Sequence, residues 1–185
     1  MIREAICCYL QSNSNLIGGI NADGSRKIVE IDESLFTRRK YNRGRILNGA
    51  WYVGGIERGS RNCFIVPVET RNAVNIAAVI AANVRVGTLI ITDQWRAYGR
   101  ALHDLGGYEH ETINLSIQFV DPFNNQIHTQ NIEGLWSRSN YFIRKKRGIS
   151  VEKQSEYLIQ FLWEYGVEKR KRINNLLKLL KWSSD

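Results

Sequence analysis

The sequence predicts an α/β domain in which a mixed five-stranded sheet is flanked by helices, with a helical extension at the C-terminus. Three short runs rich in β-branched residues come first and are joined by links of hairpin length, which indicates an antiparallel meander. The apolar spacing then becomes helical, and helices alternate with two further strands. A strand reached through a helical crossover is expected to run parallel to its neighbour.

The first three strands are predicted from β-branched and aromatic runs bounded by turn residues. A loop of glycines and short polar residues at 18–25 precedes the first strand, 27–35, which contains three β-branched apolar residues. The second and third strands, 51–56 and 63–68, flank a turn-like segment at 57–62. Links this short favour antiparallel pairing.

The middle of the chain alternates helix and strand. Small apolar residues at helical spacing predict a helix over 72–84 that can pack closely on a sheet. An apolar run at 88–92 predicts the fourth strand. Aromatic and leucine residues at helical spacing predict a helix over 95–105, which glycines end at Gly106, and 108–114 is assigned as the fifth strand.

The last third of the chain is predicted to be helical. Thr129 or Asn131 is expected to cap a helix that runs to Arg144, and an aromatic and aliphatic stripe predicts a second helix over 150–167. A basic amphipathic helix follows, which is a solvated extension, a DNA-contacting arm or a nuclear import signal. The chain is thus divided into an N-terminal helix at 1–16, a main domain at 17–149 and C-terminal helices at 150–185.

Composition restricts the classes of function. The formal net charge of +8 and the 185-residue length fit one basic domain, and such a charge favours a polyanionic partner, although a merely soluble basic protein has the same balance. Three cysteines without metal-finger spacing argue against a disulfide scaffold and a zinc ribbon. No run approaches the roughly 18 apolar residues of a membrane span, so no membrane partner is expected.

Three acids in the predicted strands and helices are candidate metal ligands. Asp32 lies within the first strand, Asp93 ends the fourth, and Glu133 opens the helix after residue 128. An ionised carboxylate in an apolar strand costs several kcal/mol unless donors or cations compensate it. Taken singly, the acids also fit a strand-edge residue, the cap of the helix at 95–105 and an ordinary first-turn glutamate.

Taken together, the elements and acids have the layout of the ribonuclease H-like fold, in which the first and fourth strands are central neighbours. Asp32 and Asp93 would then lie side by side, with Glu133 approaching from a helix. Three oxygen ligands select Mg²⁺ or Mn²⁺, and two such ions can support an in-line displacement at phosphorus. His128 either assists proton transfer at this site or has a structural role. Glu33 is adjacent to Asp32 on the strand, so its side chain should point to the opposite face of the sheet.

Clusters of cations favour DNA as the partner. One cluster lies in the loop after the first strand, where the alternative is a solvated hairpin tip, and the other ends the helix of Glu133. The candidate DNA-binding residues are Arg38, Arg39, Lys40, Arg43, Arg45, Lys145, Lys146 and Arg147.

An ordered set of sequence strings resembles the catalytic domain of Merlin-type DDE transposases and their bacterial insertion-sequence relatives. The strings lie at 28–34, 39–45, 51–58, 92–98, 119–122 and 128–137. The resemblance implies a cut-and-paste DNA transposase in which Asp32, Asp93 and Glu133 bind metal, with His128 and Asn131 as accessory positions. It further implies double-stranded DNA as partner, a homo-oligomer, no small-molecule cofactor, and a nuclear location in a eukaryote or a cytoplasmic one in a bacterium.

Three departures from the family pattern support a second hypothesis. The resemblance begins at about Ile17, so we expect the usual N-terminal DNA-binding region to be missing; Leu115 stands where a histidine is typical, and Asn140 stands where a lysine is common. The alternative to an active transposase is therefore a relic or host-retained protein that binds DNA without catalysis. Another ribonuclease H-like nuclease is a third option that rests on fold analogy alone.

Overall fold

The computed structural model describes residues 2–12, 16–36, 50–113, 128–146 and 149–182. The chain forms two compact units, one of residues 16–138 and one that combines 1–15 with 139–185. In the described residues, no helix is both long and apolar enough to cross a membrane.

The larger unit is built on the predicted mixed sheet. Its five-stranded sheet has the order β4-β3-β2-β6-β7, and two further short strands, β1 and β5, pair with each other in parallel. Its described strands are β1 (Ile17–Gly18), β2 (Ile28–Phe36), β3 (Ala50–Glu57), β4 (Cys63–Val68), β5 (Val84–Arg85), β6 (Leu89–Asp93) and β7 (Glu109–Ile113). The helices are α2 (Ala73–Asn83), α3 (Arg96–Leu105) and the start of α4 (Gln130–Lys145).

Strand directions confirm the predicted topology. Strands β2, β3 and β4 pair antiparallel, while β6 pairs in parallel with β2, and β7 in parallel with β6. Strand β2 is therefore central, with β6 beside it, which is the ribonuclease H-like arrangement. The β1–β5 pair was not predicted, because two-residue strands carry no readable hydrophobic period.

The two faces of β2 pack against different helices. Val29 and Ile31 belong to the main apolar core with residues of α2 and α3, including Ile76 and Leu102. Because side chains alternate along a strand, Glu30 and Asp32 point to the other face, where α4 lies. The polar residues of β2 are thus concentrated beneath one helix. That helix carries Glu133.

Boundaries agree with the sequence expectations to within one or two residues in most elements. Strand β4 has the predicted limits, and α2 begins after Asn72, whose side chain accepts a hydrogen bond from the N–H of Asn75. The predicted N-terminal helix over 1–16 is shorter than expected: it is α1 (Ile2–Ser12).

The smaller unit contains α1, the end of α4, α5 (Val151–Gly166) and α6 (Arg172–Trp182). Ile6 of α1 and Trp163 of α5 are buried together and form its small core. The predicted basic tail helix is divided in two, because a 3₁₀ turn at Lys169–Lys171 precedes α6.

Candidate active site

The pairing of β2 with β6 brings two of the predicted acids to one edge of the sheet. Every paired position in this ladder, up to Glu30 with Ile91, differs by 61 residues. Asp32 and Asp93 differ by the same number (93 − 32 = 61), so they occupy equivalent positions one pleat beyond the last pair. Equivalent positions in parallel strands share a face, so both carboxylates lie on the α4 side.

Asp32 is a mostly buried carboxylate among other acids. Burial raises its pKa to about 7, and the negative charges of Glu33 and Asp93 raise it in the same direction. The indole Nε1 of Trp136 donates a hydrogen bond to Asp32 Oδ2 over 3.1 Å. The donor is neutral, so it orients the carboxylate without cancelling its charge.

Among the described residues, one backbone donor holds the carboxylate of Asp93. The N–H of Trp95 donates to Asp93 Oδ1 over 2.9 Å, immediately before α3 begins at Arg96. The N-cap residue of α3 is Trp95, which makes no side-chain capping bond, so Asp93 lies ahead of the helix and does not take the cap role that the sequence also allowed. The Trp95 N–H engages one carboxylate oxygen and, like the indole at Asp32, supplies no positive charge.

Glu133 lies in the first turn of α4 and is exposed. The hydroxyl of Thr129 is 3.5 Å from Glu133 Oε1. Glu133 precedes Trp136 by three residues, which places the two on adjacent positions of one helix face. In the described part of the chain, no three acidic, histidine or cysteine side chains form a group that could hold a metal ion. The structure thus pairs Asp32 with Asp93 and puts Glu133 on the helix that contacts Asp32.

A glycine allows α4 to approach the sheet beside Asp32. Gly54 on β3 pairs with Asp32, and a Cβ atom built on it would lie 2.6 Å from Trp136 Cη2 and 3.4 Å from Ile132 Cδ1. Trp136 also packs edge-on against Phe36, with ring centroids 5.8 Å apart. The indole that holds Asp32 is therefore fixed between a glycine and an aromatic ring.

Glu33 points away from this site, as strand alternation predicts. Its carboxylate accepts a hydrogen bond from the Tyr98 hydroxyl at 2.5 Å and pairs with Arg71 Nη1 at 3.0 Å. The guanidinium of Arg71 in turn stacks over the rings of Trp51 and Trp95. Glu33 is thus part of a compensated structural cluster.

The sequence reasoning missed a second buried carboxylate, Glu30, which has no exposed surface. It accepts hydrogen bonds from the N–H groups of Asn131 and Ile132, at 2.9 and 3.0 Å, and pairs with Arg58 Nε at 2.6 Å. The N–H groups that a capping residue would bind are therefore bound by Glu30, whereas Thr129 and Asn131 were expected to cap α4. A glutamate inside a β-branched run, on the same face as Asp32, was the available signal.

The two predicted accessory residues meet at Glu30. Asn131 Nδ2 donates to Glu30 Oε1 at 2.8 Å, and His128 Nδ1 lies 3.3 Å from the same oxygen. Burial lowers the pKa of His128, the nearby charge of Arg58 lowers it further, and Glu30 opposes both. His128 Nδ1 has no hydrogen-bond partner among the described residues.

Most of the candidate DNA-binding residues lie outside the described residues, namely Arg38, Arg39, Lys40, Arg43, Arg45 and Arg147. Lys145 and Lys146 are described and exposed at the end of α4. Their ammonium groups lie over the rings of Tyr141 and Phe142, at 4.7 and 4.8 Å from the ring centroids.

Comparison with known families identifies the domain. A family model described as the ISXO2-like transposase domain matches residues 19–166. This chain belongs to that transposase family. The match spans all five strands of the main sheet and helix α4, and it confirms the transposase resemblance at the family level. None of the curated proteins compared with the sequence matches it significantly.

One solved structure, the first of three similar ones, confirms the fold of this transposase domain. The catalytic core of BIV integrase superposes with a TM-score of 0.51 at 12% identity, covering 74% of this chain and 81% of the integrase chain. The HTLV-2 integrase core in complex with magnesium has a TM-score of 0.47 at 14% identity, with 74% and 82% covered. A simian T-cell lymphotropic virus intasome chain gives 0.47 at 14% identity, with 82% and 51% covered.

Proposed function

We propose that this transposase domain catalyses metal-dependent DNA strand cleavage and strand transfer, with Asp32, Asp93 and Glu133 as the metal ligands. Membership of the Merlin-type branch is part of the proposal and rests on the ordered sequence strings. The observation that carries the proposal is that the buried and half-buried acids around β2 differ in the partners that hold their carboxylates.

The acids near β2 are compensated in two different ways. Glu30 and Glu33 are each paired with an arginine at 3.0 Å or less. In contrast, the contacts of Asp32 and Asp93 in the described part of the chain come from neutral N–H donors. Arginine pairing neutralises an acid, whereas neutral donors only orient it. The charge that the two aspartates carry once ionised is therefore left for a bound cation to balance.

The donor set fits two hard divalent ions, Mg²⁺ or Mn²⁺. When bound, such ions lower the pKa of an attacking water or 3′-hydroxyl and stabilise the departing oxygen in a phosphoryl transfer. Within the chain, Trp136 and the N–H of Trp95 each fix one oxygen of an aspartate. Asp32 and Asp93 are thus oriented before any ion binds, which lowers the ordering cost of binding.

The partner proposed for this site is double-stranded DNA, bound as a homo-oligomer on transposon ends and target. The net charge of +8 supports a polyanionic partner. A nuclear location is proposed for a eukaryotic source and a cytoplasmic one for a bacterial source. The alternative is a DNA-binding relic without catalysis, which the departures at Leu115 and Asn140 favour.

Nicking of supercoiled plasmid DNA with Mg²⁺ or Mn²⁺ tests the proposal. Wild type should nick, and Asp32→Asn and Asp93→Asn should abolish nicking. Asp104→Asn is a matched control, because Asp104 is a surface acid on α3 with a 62% exposed side chain, and it should nick like wild type. Equal nicking by all four proteins would refute the assignment. Salt-sensitive DNA binding by all four without any nicking would instead establish the relic hypothesis.

A further inference from the structure

We propose that Glu30 is a positioning residue of this active site, which sets the place of helix α4, and with it Glu133, relative to Asp32. The inference rests on the proposed function, because it treats Glu133 as a metal ligand. Glu30 itself points at the helix and not at the aspartates, so its role is indirect.

Glu30 joins the two segments that carry the predicted ligands. It stands two residues before Asp32 on the same face of β2, and it binds the N–H groups of Asn131 and Ile132, the two residues that precede Glu133. These contacts connect positions 101 and 102 residues apart in the chain. A single side chain thereby fixes the first turn of α4 on the strand of Asp32.

The charge of Glu30 suits this task. A carboxylate is favoured at a helix N-terminus, where N–H groups lack intrahelical partners and the helix dipole is positive. Arg58 balances the buried charge, and Arg58 is itself anchored, because its Nη2 donates to the His128 carbonyl at 2.6 Å and its N–H to the Ile28 carbonyl at 2.9 Å. Arg58 therefore ties His128, two residues before α4, to the start of β2.

The packing of α4 farther along does not replace this contact. Trp136 lies one turn beyond Ile132, packs against Gly54 and Phe36, and donates its own hydrogen bond to Asp32. Glu133 is exposed, and its carboxylate is 3.5 Å from the hydroxyl of Thr129, the residue directly before α4. Loss of Glu30 should therefore move Glu133 while leaving the Asp32 contact intact.

The test measures Mn²⁺ affinity by calorimetry in Glu30→Gln, which keeps the shape of the side chain and removes its charge. Changing a residue that orients a metal ligand typically weakens metal affinity 10–100-fold, so we expect Glu30→Gln to bind Mn²⁺ about tenfold more weakly than wild type. Glu57→Gln is the matched control: Glu57 is a buried acid on β3 that binds the N–H of Gly18 at 2.7 Å and pairs with Lys27. Its affinity should stay within about twofold of wild type.

A double-mutant cycle separates positioning from general destabilisation. If Glu30 acts through Glu133, Glu30→Gln should cause no further loss of affinity in a Glu133→Gln background. An unchanged affinity in Glu30→Gln, or an equal loss with and without Glu133, would overturn the inference. Mn²⁺ binding that does not depend on Asp32 would instead refute the proposed function, and this inference with it.

Amide hydrogen exchange reports the contact without metal. Glu30→Gln should speed exchange at Asn131 and Ile132 by about tenfold or more, since each loses a charged acceptor. Unaltered exchange at both amides would overturn the inference. If Glu30→Gln does not fold by circular dichroism, Asn131→Ala removes one contact of Glu30 and leaves the backbone donors. It should weaken Mn²⁺ binding about twofold to threefold, only when Glu133 is present, and an unchanged affinity would count against the role.

Discussion

Replacing Asp32 by asparagine should stabilise the metal-free protein as the pH rises. The pKa of Asp32 is raised from 3.8 to about 7 in the folded state, chiefly by burial. The stability that its protonated form contributes is therefore complete below about pH 3.8 and is lost as the pH rises through 7. Asparagine does not titrate and still offers an oxygen to the indole of Trp136.

The magnitude follows from the two pKa values. Between about pH 5 and pH 7, Asp32 is ionised in the unfolded state but still largely protonated in the folded state. Each pH unit in this range therefore lowers the free energy of unfolding of wild type by about 1.4 kcal/mol. Over roughly two units, the stability of Asp32→Asn relative to wild type should rise by about 3 kcal/mol. Asp104→Asn, which replaces an exposed acid on α3, is the control variant for this comparison.

Urea unfolding at pH 5, 6, 7 and 8 in the presence of a chelator measures this difference. Taking the difference between variant and wild type cancels the titration of distant groups. The electrostatic account of Asp32 would be refuted if the difference in free energy of unfolding between Asp32→Asn and wild type stayed constant from pH 5 to pH 8. It would also be refuted if wild type gained stability relative to the variant as the pH rises. A gap that grows only in the chelated protein and shrinks with added Mg²⁺ would also support metal binding at this acid.

Further variants probe the packing and the surface. Gly54→Ala should cost about 1–3 kcal/mol in urea unfolding and weaken Mn²⁺ binding, because the new Cβ would lie 2.6 Å from Trp136; wild-type behaviour would contradict the close packing. Tyr98→Phe removes a donor from Glu33 and should cost about 1–3 kcal/mol by the same assay, whereas a cost near zero would show that Arg71 suffices. Lys145→Gln should reduce the slope of log affinity against log salt for DNA by about one; an unchanged slope would exclude a phosphate contact there.

The sheet could be predicted because its information is local. Strand β4 has the limits that its apolar run indicates, and the helical spacing of 72–84 identified α2 to within a residue. The crossover through α2 then fixed the parallel pairing of β2 with β6, and so the proximity of Asp32 and Asp93. The β1–β5 pair is as short as two residues per strand and has no comparable local signal.

The role of Glu30 could not be predicted, because its partners lie about a hundred positions away. The sequence shows two acids on one face of the same strand, and nothing in the local pattern says which is paired with a cation and which is left for a ligand. That distinction depends on Arg58, which follows β3, and on the backbone of α4. Likewise, the cap of α4 was sought among its own residues, whereas the acceptor comes from the sheet.

The long-range contacts of Glu30 have a consequence for truncated forms of this protein. A polypeptide that stopped after β7 would contain all five strands of the main sheet, yet the carboxylate at its centre would lose the backbone donors of Asn131 and Ile132. Glu30 would keep its ion pair with Arg58, but each lost hydrogen bond to a charged group costs about 1.5–3 kcal/mol, and the two together are a large share of the stability of an ordinary domain. Fragments that have lost α4 should therefore be degraded and not persist as folded remnants.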